Sequence, residues 1–173
     1  MADYKYSSTA EHPFGQYNQA APPEILDFSP LIGQADCQSM TRVGETWSEP
    51  ISMIWTFRYI MNGTAIQDDT LKSDGTHSGS IRQFNPETDL WHVHYYTSKT
   101  IADELPVWTG GKVGSDLIFW RTQKAPNGMA GFYRLTFSEI TETGYQWLGA
   151  WVDESKTVSY PTWKINCKKA VLN

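Results

Sequence analysis

Charge is scarce in this sequence. Asp, Glu, Lys and Arg make up only 19% of its 173 residues and sum to a formal net charge of −5. Nucleic acid and anionic membrane surfaces both need a basic footprint, so neither is expected as a partner. Cysteine is scarcer still, with Cys37 and Cys167 far apart in the chain. No Cys-x-x-Cys spacing occurs, which excludes a zinc or thioredoxin-type motif on these residues. No apolar run approaches the ~20 residues of a membrane helix. Residues 1–21 lack a basic start followed by an apolar stretch, so no secretory signal is expected there. These absences together give the expectation of a cytoplasmic protein with both thiols free.

Aromatics, by contrast, are abundant, at 14% with eight Trp. Trp and Tyr carry a polar handle on a large apolar body, which suits cores, pockets and interfaces with one wet end. The length fits a single domain that can bury a core without metal or disulfide staples. Residues 1–21 are rich in Ser, Gln, Ala, Tyr and Asn without period and read as a flexible arm. Residues 22–173 read as one domain. It opens on Pro22-Pro-Glu-Ile-Leu-Asp-Phe-Ser-Pro-Leu-Ile-Gly33, where an early Pro and a closing Gly suit a short helical plug.

Beyond Gly33 the rhythm is that of strands. β-branched and aromatic runs alternate with turn signals at Asn62-Gly63, Asn85-Pro86, Gly110-Gly111, Pro126-Asn127-Gly128 and Gly144. They bound expected strands near 35–43, 50–61, 65–72, 78–85, 90–98, 105–112, 115–123, 130–140, 145–153 and 158–169. No helical period interrupts them. Short successive hairpins favour an all-β, antiparallel up-and-down meander of 8–10 strands closed into a lipocalin-like barrel. Closure would pair the first strand with the last and bring Cys37 toward Cys167.

Two hairpins can be registered. The Asn62-Gly63 turn sets Tyr59 opposite Ile66, Phe57 opposite Asp68 and Trp55 opposite Thr70, all on one face. A Thr141–Gly144 turn would pair Ile140 with Tyr145. Tyr133, Leu135 and Phe137 then share an inward face with Leu148, Ala150 and Val152. Phe132, Arg134, Trp147 and Trp151 take the opposite face, with Arg134 across from Trp151.

From Phe28 onward the chain resembles an uncharacterised bacterial family of lipocalin-like, or calycin-type, barrels. The resemblance rests on Leu31-Ile32-Gly33, Trp55-Thr-Phe-Arg58-Tyr-Ile-Met-Asn-Gly63 with Gln67-Asp68, Arg82-Gln-Phe-Asn-Pro-Glu-Thr-Asp-Leu-Trp91, and Tyr145-Gln-Trp147. The pattern departs from lipocalins at Ala35, where they carry Trp. It implies a barrel able to hold a small ligand, with no established chemistry; fold alone does not fix function.

Asp68 is the leading candidate for chemistry. On the Trp55/Phe57/Tyr59 face it would sit among aromatics as a proton acceptor or ligand anchor, or be salt-bridged to Arg58 or Arg82. His92 and His94 share one face of a strand, a spacing that suits two metal ligands but needs a third; His77, Asp116 or Glu104 could supply it. Structural or surface histidines are the plainer alternative, and no metal is assigned. No Gly-x-Ser-x-Gly elbow or P-loop occurs. The leading expectation is therefore a small apolar or aromatic ligand held by Trp55, Phe57, Tyr59, Asp68, His92 and His94, without a cofactor. One alternative is a cofactor-independent isomerase, cyclase or hydrolase using Asp68 with His92 or His94. The other is a structural protein that self-associates through exposed aromatics, with a homodimer as the default assembly.

Overall fold

A computed structural model describes residues 3–169; residues 1–2 of the arm and 170–173 of the domain lie outside the described residues. One 3₁₀ helix, Pro23–Leu31, precedes eleven strands. They are β1 (Gly33–Val43), β2 (Thr46–Trp47), β3 (Ile51–Ile60), β4 (Ala65–Lys72), β5 (His77–Asn85) and β6 (Leu90–Thr97). After them come β7 (Val107–Val113), β8 (Asp116–Thr122), β9 (Gly131–Ser138), β10 (Gly144–Asp153) and β11 (Ser159–Lys169). Apart from β2, which only extends the far end of β1, each strand pairs with its neighbours in sequence, and β11 returns to β1. The result is a closed, antiparallel, ten-strand up-and-down barrel of lipocalin-like form. Closure leaves none of the ten barrel strands with an open edge to invite pairing with another chain.

Alternation of side chains produces the lining. In β1 the buried positions are Gly33, Ala35, Cys37 and Ser39, while Gln34, Asp36 and Gln38 face water. In β3 they are Met53, Trp55, Phe57 and Tyr59. The β3–β4 register is the one expected, with Tyr59 opposite Ile66, Phe57 opposite Asp68 and Trp55 opposite Thr70. Its turn is tight because Met61 and Asn62, with φ of 50° and 54°, and Gly63 all adopt left-handed conformations. Gly63 has a second reason to lack a side chain: a Cβ there would strike the backbone of Gln16 and Asn18.

That approach shows how residues 3–21 are held. Tyr59 N donates to Phe14 O at 2.8 Å, Asn18 N to Gly63 O at 3.1 Å, and Tyr6 N to Asn62 Oδ1 at 2.9 Å. Composition alone marks this stretch as a flexible arm. Hydrogen bonds join it to the β3–β4 end of the barrel.

The 3₁₀ helix closes the same end. Pro30 keeps it short, and Ile25, Phe28 and Leu31 are buried. Phe28 is the centre of the plug, with its ring centroid 4.8 Å from Trp91, 6.1 Å from Phe119 and 6.4 Å from both Phe57 and Phe137. Burying such a side chain contributes roughly 1.5–3 kcal/mol. The plug is also pinned from outside: Lys169 Nζ donates to Pro30 O at 2.7 Å, and Trp91 Nε1 to Asp27 Oδ2 at 3.4 Å.

Two expectations are corrected here. Cys37 and Cys167 do stand directly opposite each other across the β1–β11 seam, with Cα atoms 4.1 Å apart, but they form a disulfide rather than two free thiols. The free-thiol reading came from a compartment default; the register places both side chains inward at one level. In the β9–β10 hairpin, Phe137 pairs with Trp147 and Leu135 with Gly149, one residue away from the expected register. Glu139 turns left-handed, with φ of 50°, and the ladder ends at Ser138–Gln146 instead of Ile140–Tyr145. A slip of one residue exchanges faces. Trp147 therefore points inward with Phe137, while Ala150 and Val152 share the outer face with Arg134 and Phe132. Arg134 lies 5.5 Å from the ring of Trp120, its direct partner on β8, and not on Trp151.

Candidate functional site

The barrel interior divides at a buried ion pair. Asp68 on β4 and Arg82 on β5 are each 3% exposed, and Arg82 Nη1 donates to Asp68 Oδ1. Trp55 Nε1 donates to the other carboxylate oxygen at 2.8 Å. The guanidinium carbon of Arg82 lies 5.3, 5.2 and 5.8 Å from the rings of Phe28, Phe57 and Phe137. Desolvated cation–π contacts of this kind reach about 2 kcal/mol. The plug thus supports the cation, and the cation holds the carboxylate. Of the two partners that sequence allowed for Asp68, Arg82 takes the role, and Arg58 does not.

On the side of this pair away from the plug lies a cavity of about 330 Å³. One wall is a polar stripe built by β4 and β5, where Asp68 pairs with Ser80 and Thr70 with Ser78. Thr70 Oγ1 donates to Ser78 O at 2.9 Å and lies 2.7 Å from Ser78 Oγ. The remaining walls are aromatic and aliphatic: Trp55, Trp108, Trp147 and Trp163, with Met53, Leu135 and Ile165 between them. Tyr95 and Tyr133 also face the cavity, and the exposed Gln123 marks its route to solvent. Some of these groups are held by hydrogen bonds. Trp163 Nε1 donates to Ser39 Oγ at 2.8 Å, and the Tyr133 hydroxyl bonds the Thr162 hydroxyl at 2.7 Å.

Burial shifts the phenols of this region. Among the described residues the Tyr145 hydroxyl has no hydrogen-bond partner, and burial pushes its pKa far above the ordinary tyrosine value. The negative charge of Asp68 adds to that shift, and Arg82 opposes it. Tyr133 is raised by burial as well, against the hydrogen bond to Thr162.

The residues expected from sequence are distributed unequally. Trp55 and Asp68 line the cavity. Phe57 is fully buried one step lower, between the ion pair and the plug, and Tyr59 is lower still, with its backbone bonded to Phe14. His92 and His94 do not join them. Both alternate with the buried Trp91 and Val93 and lie on the outer face of β6, beside Phe84 and Asn85. Among the described residues, no three His, Cys, Asp or Glu side chains gather as a metal site. Trp120 and Phe132, an outer aromatic pair, are covered by Lys156 and Arg134.

Sequence reasoning missed most of the cavity wall. Ser78 and Ser80 share a face of β5 with Arg82, and no turn in the sequence fixes that strand's parity. Trp147 was hidden by the one-residue slip. Trp108 and Trp163 belong to strands whose parity no turn in the sequence fixes. No protein-family model matches the chain, and a search of curated proteins finds none similar to it.

Proposed function

We propose that this barrel binds one small apolar or aromatic molecule in the cavity above the Asp68–Arg82 pair. The observation that carries this reading is the cavity itself, a space of about 330 Å³ walled by four indoles and one short polar stripe. Ligand sites are commonly concave, mostly apolar and equipped with a few placed polar groups. An enclosed apolar cavity of ~150 Å³ accommodates benzene, so this one suits a body of about two rings. The likeness to lipocalin-like, calycin-type barrels supports the same use. The catalytic alternative finds less support. Both Asp68 oxygens are engaged, and the two histidines lie outside the barrel. The buried disulfide favours work in an oxidising compartment, since a reducing cytoplasm opposes such bonds.

Naphthalene is a suitable neutral probe. It is expected to bind in equilibrium dialysis with one site per chain. Leu135→Trp, which fills the cavity from β9, is expected to abolish that binding while far-ultraviolet circular dichroism stays unchanged. Naphthalene that fails to bind the wild-type protein, or binds the filled variant equally well, would overturn the reading.

A further inference from the structure

The polar stripe has already committed its protons. A carbonyl only accepts, so the single Thr70 hydroxyl proton goes to Ser78 O. The contact between Thr70 Oγ1 and Ser78 Oγ must then be donated by Ser78. Ser78 Oγ is left facing the cavity with lone pairs and no free proton. Asp68 is equally one-sided: its carboxylate accepts from Trp55 and Arg82 and retains unused acceptor directions. On this wall only the Ser80 hydroxyl can turn either way, because Arg82 is fixed by Asp68 and by three aromatic rings. The charges of Asp68 and Arg82 cancel, so an ionic ligand would lose its hydration without gaining a counter-charge.

We infer that the cavity selects an uncharged aromatic hydrogen-bond donor, such as a phenol or an N–H heteroaromatic, whose proton is accepted on the Asp68–Thr70–Ser78 stripe while its ring lies against the indoles. This rests on the ligand-binding reading above and names the ligand class for it. The match is one of inventory on this stripe: Asp68, Thr70 and Ser78 offer acceptors, and the ligand brings the proton. An acceptor-only ligand of the same shape would leave those acceptors unpaired and would have to turn to Ser80, or to Tyr95 or Gln123 on the other walls, for a donor.

Three ligands of similar body separate the possibilities by equilibrium dialysis: naphthalene, naphthol and methoxynaphthalene. Naphthol is expected to bind roughly 10-fold more tightly than the other two, the effect of one neutral hydrogen bond. Thr70→Val removes the acceptor of the Ser78 proton and turns Ser78 into a donor. In that variant methoxynaphthalene is expected to gain affinity relative to naphthalene. Methoxynaphthalene binding the wild-type protein as tightly as naphthol would overturn the donor inference and leave the binding cavity standing. Protonated naphthylmethylamine binding tightest of all would overturn the requirement for an uncharged ligand. An unchanged order of affinities in Thr70→Val would refute the proton assignment. If none of the neutral ligands binds, the underlying reading fails. The wild-type series decides the donor question alone should the variant not fold.

Discussion

At the scale of single residues, the Asp68–Arg82 pair is the most consequential contact in the barrel. Its members are buried, so neither can be left alone cheaply. Arg82→Met would strand a carboxylate beside Trp55 and is expected to lower unfolding stability by about 3–5 kcal/mol. Asp68→Leu combined with Arg82→Met, which leaves no stranded charge, should cost distinctly less; urea-denaturation midpoints of both variants measure this. Tyr145 gives the residue scale a pH signature. Its phenol ionises near pH ~10 in the unfolded chain and higher in the folded one. Its contribution to stability is therefore complete below about pH 10 and is lost as pH rises from there through the folded value. Tyr59, Tyr96 and Tyr133 are shifted the same way by burial. Phenolate absorbance is expected to show part of the nine tyrosines ionising only in a cooperative step that coincides with loss of the barrel signal. A smooth titration of all nine at the ordinary value would contradict this. Asp68 was legible in advance because an Asn-Gly turn fixed the partner of Phe57. Its burial beside Arg82 was legible only as one of two choices, because nothing in the sequence set the parity of β5.

At the scale of elements, the 3₁₀ plug does more than stop one end. Its Phe28 ring forms part of the surface on which Arg82 rests, which links the plug to the cavity floor. Phe28→Ala is expected to destabilise the protein by about 3–5 kcal/mol and to weaken naphthalene binding through a loosened floor, as read by urea denaturation and dialysis together. A variant that loses stability yet keeps full affinity would show that plug and floor are independent. The plug was readable from its Pro and Gly boundaries, and strand existence from β-branched runs and turns. Register was readable only where the turn was short and chemically explicit. Asn62-Gly63 met that condition. The Thr141–Gly144 stretch did not, because the left-handed Glu139 carries no side-chain signature and shifts the ladder by one. That single residue moved Trp147 from the expected outer face into the cavity wall.

At the scale of the whole molecule, the barrel is closed twice, once by the β1–β11 ladder and once by the Cys37–Cys167 bond, which spans a sequence separation of 130. Cross-linking so long a loop restricts the unfolded chain strongly. Removing the bond by Cys37→Ala with Cys167→Ala is expected to lower stability by about 2–5 kcal/mol, seen as a shift of the denaturant midpoint. An unchanged midpoint would mean that ladder closure alone accounts for the fold. The position of the bond also decides how the molecule answers force. A pull applied at the two chain ends passes through the seam, and the segment between the cysteines carries no load while the bond is intact. Stretching should then release only the short tails outside the seam. Once a reductant cuts the bond, roughly 450 Å of hidden chain becomes available, at ~3.5 Å for each of those residues. The seam is a mechanical safety catch as well as a covalent staple, and eight of the ten barrel strands lie wholly behind it.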